Sequence, residues 1–289
     1  MDGYRARLRD AGDSLTPAER RAADLLDHRP AAVGFGTVAE VASAAECGVA
    51  TVARLAVKLG YSGFSELQRE VRRDLARRLR PAAERIRERV GAPELGVEMV
   101  ADHLDLELDN LRTTFAALDD QRLVRIVALL ADPARSVALV GGDDAGGAVR
   151  LAAEALSSLR DGVVLVEGSP VAVQRRLALL PPDSVVVACD VRRYDTWVVE
   201  VARQAVDDGH RVIALTDSDL SPLARGAAEV VLVAAAAVGP FDSYTAMVSL
   251  LHLLVAGAAS ALTAADERLE RVERAWTERA SLVDDGSLA

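Results

Sequence analysis

The sequence predicts two unlike halves, an α-helical helix-turn-helix domain at the N-terminus and an α/β domain with a five-stranded parallel sheet at the C-terminus. Three observations carry this. Five short apolar, β-branched runs, at 137–140, 163–166, 185–188, 212–215 and 230–233, alternate with helical stretches at 146–159, 170–179, 196–208, a short 221–227 and 244–262. That alternation is the pattern of a parallel sheet covered on both faces. Upstream, two short amphipathic segments, 37–45 and 49–60, flank the tight break Glu46-Cys47-Gly48, which is how a helix-turn-helix reads. Charge divides along the same line: residues 1–80 hold 14 Lys+Arg against 11 Asp+Glu, a balance of +3, and the rest holds 20 against 33, a balance of −13. An acidic body repels phosphates, so nucleic acid would meet only the basic head.

Composition fits a folded chain. Its 289 residues are 51% hydrophobic and 27% charged, which excludes disordered and collagen-like proteins. With 3% aromatics, Ala, Val and Leu must fill the cores. A net charge of −10 argues against non-specific coating of nucleic acid. Cys47 and Cys189 match no metal-ligand spacing and read as idle thiols, so neither a disulfide nor a metal is expected. Residues 1–13 lack the apolar core of a signal peptide, and the most apolar stretch, 246–262, is short for a span and holds His252 and Gly257. It reads as a buried helix, and the protein as cytoplasmic with no membrane partner.

In the head, Thr16-Pro17-Ala18-Glu19 opens a helix with a capping box and a proline at the first helical position. His28-Arg29-Pro30 ends it, because a residue before proline avoids the helical region. In the second hairpin helix Val52, Leu55, Ala56 and Leu59 face inward and Gly60 follows as the C-cap. The opposite side would present Ala50, Thr51, Arg54 and Lys58 to solvent. A hydroxyl and two cations on one face suit base edges and phosphates, so these four are the candidate DNA contacts. A small helical hairpin with a solvated polar face is the alternative.

Arginine-rich 69–89, interrupted by Pro81, reads as a solvated helix face. From Met99, Val100, Leu104, Leu108, Leu111, Phe115 and Leu118 form one stripe of a long amphipathic helix, to be packed on the body or on a second subunit. A further helix at 121–130 leads into the sheet. After the sheet, 263–280 carries Leu269, Val272 and Trp276 on a stripe, expected to pack on the body or a sister subunit, and the end of the chain, 284–287, is expected to fray.

Ligands of parallel sheets sit at the carboxyl ends of strands. The loop Gly141-Gly142-Asp143-Asp144-Ala145-Gly146-Gly147 is glycine-rich but lacks G-x-G-x-x-G, and reads as a tight turn with an aspartate cap rather than a dinucleotide cradle. No cofactor is expected. Asp190-Val191-Arg192-Arg193-Tyr194-Asp195-Thr196 follows a strand and opens a helix, and two arginines beside a helix N-terminus suit an anion. The competing reading pairs both arginines with Asp190, Asp195 or Asp242. The candidate ligand residues are Gly142, Asp143, Asp190, Arg192, Arg193, Tyr194, Asp217, Ser218, Asp242 and Ser243. No acid/base pair assembles: His28 lies in the head, His103 in the connector, His210 at the amino end of its strand, and His252 reads as a core histidine. Glu167 is the one glutamate at a strand's carboxyl end.

Leu15-Thr16-Pro17-Ala18-Glu19-Arg20, Thr37-Val38-Ala39-Glu40-Val41-Ala42, Ala50-Thr51-Val52-Ala53-Arg54 and the run Lys58-Leu59-Gly60-Tyr61-Ser62-Gly63-Phe64-Ser65-Glu66-Leu67 resemble the N-terminal domain of RpiR-type bacterial transcription regulators. The stretch 209–224 and Phe241-Asp242-Ser243 resemble the sugar isomerase (SIS) domain that usually follows it. The resemblance implies a DNA-binding regulator whose SIS domain binds a phosphorylated sugar through Ser/Thr-rich loops. This chain departs from that family: Glu46 replaces a usual Gly, Gly48 a usual Ser, Ala145 a common loop serine, and Asp190-Val191-Arg192-Arg193 a loop that normally reads like Ser-His-Ser-Gly. The loop is similar to an Arg-Arg-Tyr sub-group. The expected organisation is a helix-turn-helix domain at 1–80, a helical connector at 81–118, a SIS-like sensing domain at 119–265 and a C-terminal helix and tail at 266–289. The expected partners are a double-stranded DNA operator, a small anionic effector with a phosphorylated sugar as one candidate, and further copies in a homodimer or homotetramer. The rival expectations are a sugar-phosphate isomerase and a regulator whose SIS domain only dimerises.

Overall fold

The computed structural model describes residues 4–11, 14–78, 83–84, 97–219, 221–279 and 281. Much of the arginine-rich 69–89 run, the start of the connector and the stretch 284–287 lie outside them. The chain divides into two compact units: residues 1–104 with 218–221 and 237–242, and residues 105–217 with 222–236 and 243–289.

The head is helical: α1 (Tyr4–Ala11), α2 (Pro17–His28), α3 (Pro30–Phe35), α4 (Val38–Ala44), α5 (Val49–Lys58) and α6 (Phe64–Arg78). Both α2 and α4 start in complete capping boxes, Thr16 with Glu19 and Thr37 with Glu40. Arg29 leaves the helical region at φ −132, ψ 57, as a residue before proline should. Pro30 then serves as first residue of α3, so the signal that stops one helix also starts the next. Neither α1 nor α3 is anticipated by the sequence pattern. Tyr4, Leu26, Leu55, Ala56, Leu67 and Val71 fill the core between these helices.

At the α4–α5 turn, Glu46 adopts φ +47, the left-handed region, which is why glycine is usual there. Arg21 clamps the turn, donating from Nε to the Ala45 carbonyl at 3.2 Å and from Nη2 to that of Glu46 at 2.8 Å. Gly48 caps α5 without a side-chain bond.

The second unit begins within α7 (Val97–Ala116), followed by α8 (Asp120–Ala131), β1 (Val137–Gly141), α9 (Gly146–Leu159), β2 (Val163–Val166), α10 (Pro170–Ala178), β3 (Val185–Cys189), α11 (Thr196–Asp207), β4 (Arg211–Thr216), a 3₁₀ turn (Pro222–Ala224), β5 (Glu229–Leu232), α12 (Thr245–Ala261) and α13 (Ala265–Glu278). All five strands are parallel, in the order β2-β1-β3-β4-β5. Val137, Leu139, Val185, Val187, Ile213 and Leu215 face a layer that includes α8, α9 and α12. Ala138, Val140, Val186, Ala188, Val212 and Ala214 face α10 and α11. This two-faced burial is what the near-continuous apolar strands demand. The close approach of α8 and α12 needs Gly257, where a Cβ would stand 2.5 Å from Val127 Cγ2.

The stripe on α7 divides. Leu111 and Phe115 pack on the body core, whereas Val100 and Leu104 are exposed. Buried Asn110 and Thr114 hold the backbone after β5. Asn110 Nδ2 donates to the Ala236 carbonyl at 2.7 Å and its Oδ1 accepts from Ala236 N at 3.0 Å, and Thr114 Oγ1 accepts from Ala234 N at 2.9 Å. On α13 only Ala265 is buried, and Leu269 and Trp276 are each 41% exposed. Among the described residues no single helix is long and apolar enough to cross a membrane.

Candidate functional site

The head presents α5 as the sequence predicts, but two of the four expected contacts are committed inside it. Thr51 is 8% exposed and its Oγ1 accepts from Arg54 Nη2 at 3.3 Å. The helical period explains this: Thr51 lies a turn before Leu55, on the side that packs into the core. Lys58 is exposed in part, yet its Nζ donates to the Ser14 carbonyl and sits 2.9 Å from Glu19 Oε2. Glu19 is buried, and its carboxyl is held down at about 2, chiefly by the Thr16 backbone N–H and then by Lys58. The expectation of a four-residue polar face is therefore corrected at Thr51: Ala50, Arg54 and the ion-paired Lys58 remain at the surface, flanked by exposed Val49 and Val57.

In the body, the strand order reverses between β1 and β3, and a ligand crevice of a doubly wound sheet belongs at that switch point. Gly142 and Asp190 follow those two strands. A Cβ on Gly142 would lie 2.8 Å from both Asp190 carboxylate oxygens, so only glycine admits that carboxyl. Asp190 is 4% exposed. Its Oδ1 accepts from Val191 N at 2.9 Å and its Oδ2 from Asp195 N at 2.7 Å. Burial pushes its pKa up to about 7 against the pull of the two amides, helped by the negative charges of Asp195 and Asp217. Asp195 Oδ2 in turn accepts from Asp143 N at 2.6 Å. The chain's own carboxylates thus occupy amides that a bound anion would otherwise engage.

Arg192 is also turned inward. It is 8% exposed, with Nη1 3.5 Å from Asp217 Oδ2 and Nη2 donating to the Ala235 carbonyl at 3.3 Å. Asp217 Oδ1 accepts from Arg192 N at 3.1 Å and from the Tyr194 hydroxyl at 2.7 Å. The expectation that both arginines offer themselves to an anion is revised: Arg192 braces the loop. Arg193, at φ +65, is exposed. The aspartate cap expected for α9 is absent. Ala145 holds the cap position with no side-chain bond, and added Cβ atoms at Gly146 or Gly147 would meet nothing within 4 Å.

Of the remaining candidates, Ser243 Oγ donates to Glu107 Oε2 at 2.8 Å, and Ser218 and Asp242 fall in the first compact unit. His252 is exposed on α12 rather than in the core, because the leucines beside it point to the opposite side. Glu167 pairs with Arg150 at 2.6 Å. The residues that sequence reasoning missed are Arg21, Asn110, Thr114 and Ala235, whose roles rest on contacts distant in sequence.

The rpiR-family helix-turn-helix domain model matches residues 2–78, and the SIS domain model matches residues 132–257. An HTH-type transcriptional regulator of Haemophilus influenzae is 28% identical over 212 residues, covering 73% of this chain and 72% of that protein. The sugar isomerase domain of an RpiR transcription factor from Sphaerobacter thermophilus is 24% identical with a TM-score of 0.57, covering 63% of this chain and 99% of that one. The Vibrio vulnificus NanR protein complexed with ManNAc-6P is 20% identical with a TM-score of 0.53, covering 96% of this chain and 98% of that one. The two solved structures speak for the fold.

Proposed function

The chain belongs to the rpiR-type helix-turn-helix regulators with a SIS domain, and from that premise we propose that it binds an operator through α5 and senses a small anionic effector at the β1–β3 crevice. The observation that carries the effector reading is the contrast between the two arginines. Arg192 is buried against Asp217, while Arg193 is exposed in the loop after β3, and α9, which follows the neighbouring strand β1, starts without a side-chain cap. A guanidinium and a helix amino terminus without a side-chain cap together suit a phosphate or carboxylate. The bound sugar phosphate of the NanR relative makes phosphorylated amino sugars the first class to try. Asp143 and Asp195 would then meet hydroxyls rather than the phosphate.

The body serves as a sensor rather than a catalyst. Glu167, the glutamate best placed by topology, is paired to Arg150, and His210 stands before β4, at the edge away from the crevice. A homodimer suits the head, since one α5 reads one half-site and two copies span half-sites about 34 Å apart. The exposed Leu269 and Trp276 stripe on α13 is a surface available to a second copy.

The test is twofold. Affinity for duplexes from the upstream region of its own gene should fall with salt and by about 1–3 kcal/mol in Arg54→Ala. A thermal-shift screen of sugar phosphates and sugar acids should give a hit that Arg193→Ala abolishes. Unchanged DNA affinity in Arg54→Ala rejects the operator reading, and a hit indifferent to Arg193 rejects the effector site.

A further inference from the structure

The solvent face of α5 has a chemical character that the DNA-binding reading by itself does not require. At 3.6 residues per turn, Thr51, Val52, Leu55 and Ala56 share the buried side of the helix. The opposite side carries Ala50, Ala53, Arg54 and Val57, with Val49 at its amino end. Val49 is 47% exposed and Val57 59%. Every other large apolar side chain of α5 is buried, so these two are the exceptions in a helix otherwise sorted cleanly by period.

Base edges in the major groove are read by a short list of groups. Adenine takes Asn or Gln, cytosine takes Asp or Glu, guanine takes Arg or Lys, and the thymine C5-methyl takes an apolar contact. The open face of α5 offers no amide and no carboxylate. Lys58, the one other cation of the helix, is held by Glu19 and the Ser14 carbonyl. What remains is one guanidinium and a run of aliphatic surface.

Resting on the operator reading above, we propose that α5 reads its half-site chiefly through thymine methyl groups, packed on Val49, Ala50 and Val57, beside a guanine held by Arg54. The valines stay exposed in the free protein because their partner is the apolar floor of a major groove. Selectivity then comes from shape and methyl contact, with hydrogen-bond readout limited to one base pair.

Duplexes are selected from a random-sequence library by the full-length chain, and affinity is then measured by fluorescence anisotropy with each thymine in turn replaced by deoxyuridine, which removes only the methyl group. At two or three positions the loss should be about fourfold each, the worth of one buried methyl. Val57→Ser should erase the thymine–uracil difference at one position and leave the others, with its circular dichroism unchanged because Val57 is exposed. Selective duplexes bound equally well with uracil throughout overturn this assignment and leave the operator reading intact. A Val57→Ser variant that keeps every thymine–uracil difference but loses sedimentation mass gives the patch to a second copy instead, and also overturns it. A library that yields no enriched duplex overturns the operator reading and this assignment together.

Discussion

Replacing Asp190 by Asn should remove a specific dependence of stability on pH. The Asp190 carboxyl is buried beside Gly142 with a pKa of about 7, whereas an unfolded aspartate titrates near 3.9. Between those values the folded chain holds a proton there that the unfolded chain does not. Stability therefore falls as pH rises through that window and levels off above about 7. One proton of difference is worth about 1.4 kcal/mol per pH unit, so allowing for curvature near pH 7 the loss from pH 5 to pH 7 is on the order of 2 kcal/mol. Asp190→Asn lacks this slope. It also exchanges one acceptor for an amide donor facing the N–H of Val191 or Asp195, which should cost about 1–3 kcal/mol at pH 5, where the native carboxyl is protonated. Urea unfolding followed by tryptophan fluorescence measures both effects. The signal reports the body alone, since both tryptophans, Trp197 and Trp276, lie in it. Parallel stability curves for the two proteins between pH 5 and 7 would refute the reasoning.

Three further outcomes follow from the packing. Glu46→Gly relieves a left-handed residue at the α4–α5 turn and, after the greater freedom of glycine in the unfolded chain, should stabilise the head by about 0.5–1 kcal/mol, read by amide hydrogen exchange in α5. Lys58→Met strands buried Glu19 without its cation and should destabilise the head by about 1–3 kcal/mol, an effect that vanishes only as pH falls to about 2, where Glu19 of the native head takes up its proton. Gly257→Ala forces a methyl against Val127 and should lower the stability of the body by about 1–2 kcal/mol despite the better helix propensity of alanine; a neutral or raised melting temperature would show that α8 and α12 separate freely.

Local chemistry made much of this molecule legible in the sequence. The capping box of α2 needs only residues three apart, and the five strands announce themselves as β-branched runs, so their places agree with expectation to within a residue or so. Helix α3 was hidden because a six-residue segment opening at Pro30 has no periodicity of its own and is formed by packing, notably against α6. What only the tertiary structure decided is which polar groups are spent internally. Lys58 finds Glu19 across 39 residues, Arg192 finds Asp217 across 25, and Asn110 finds Ala236 across 126. Side-chain type and period tell which face a residue is near, but not whether a distant partner has already taken its hydrogen bonds. Such partners are brought together by the fold, and the cost of burying an unpaired charge or amide then makes the pairing compulsory. That is why the sequence named two arginines and four recognition residues alike, while the folded chain leaves Arg193, Ala50 and Arg54 to face outward, ties the exposed Lys58 to Glu19, and buries Arg192 and Thr51.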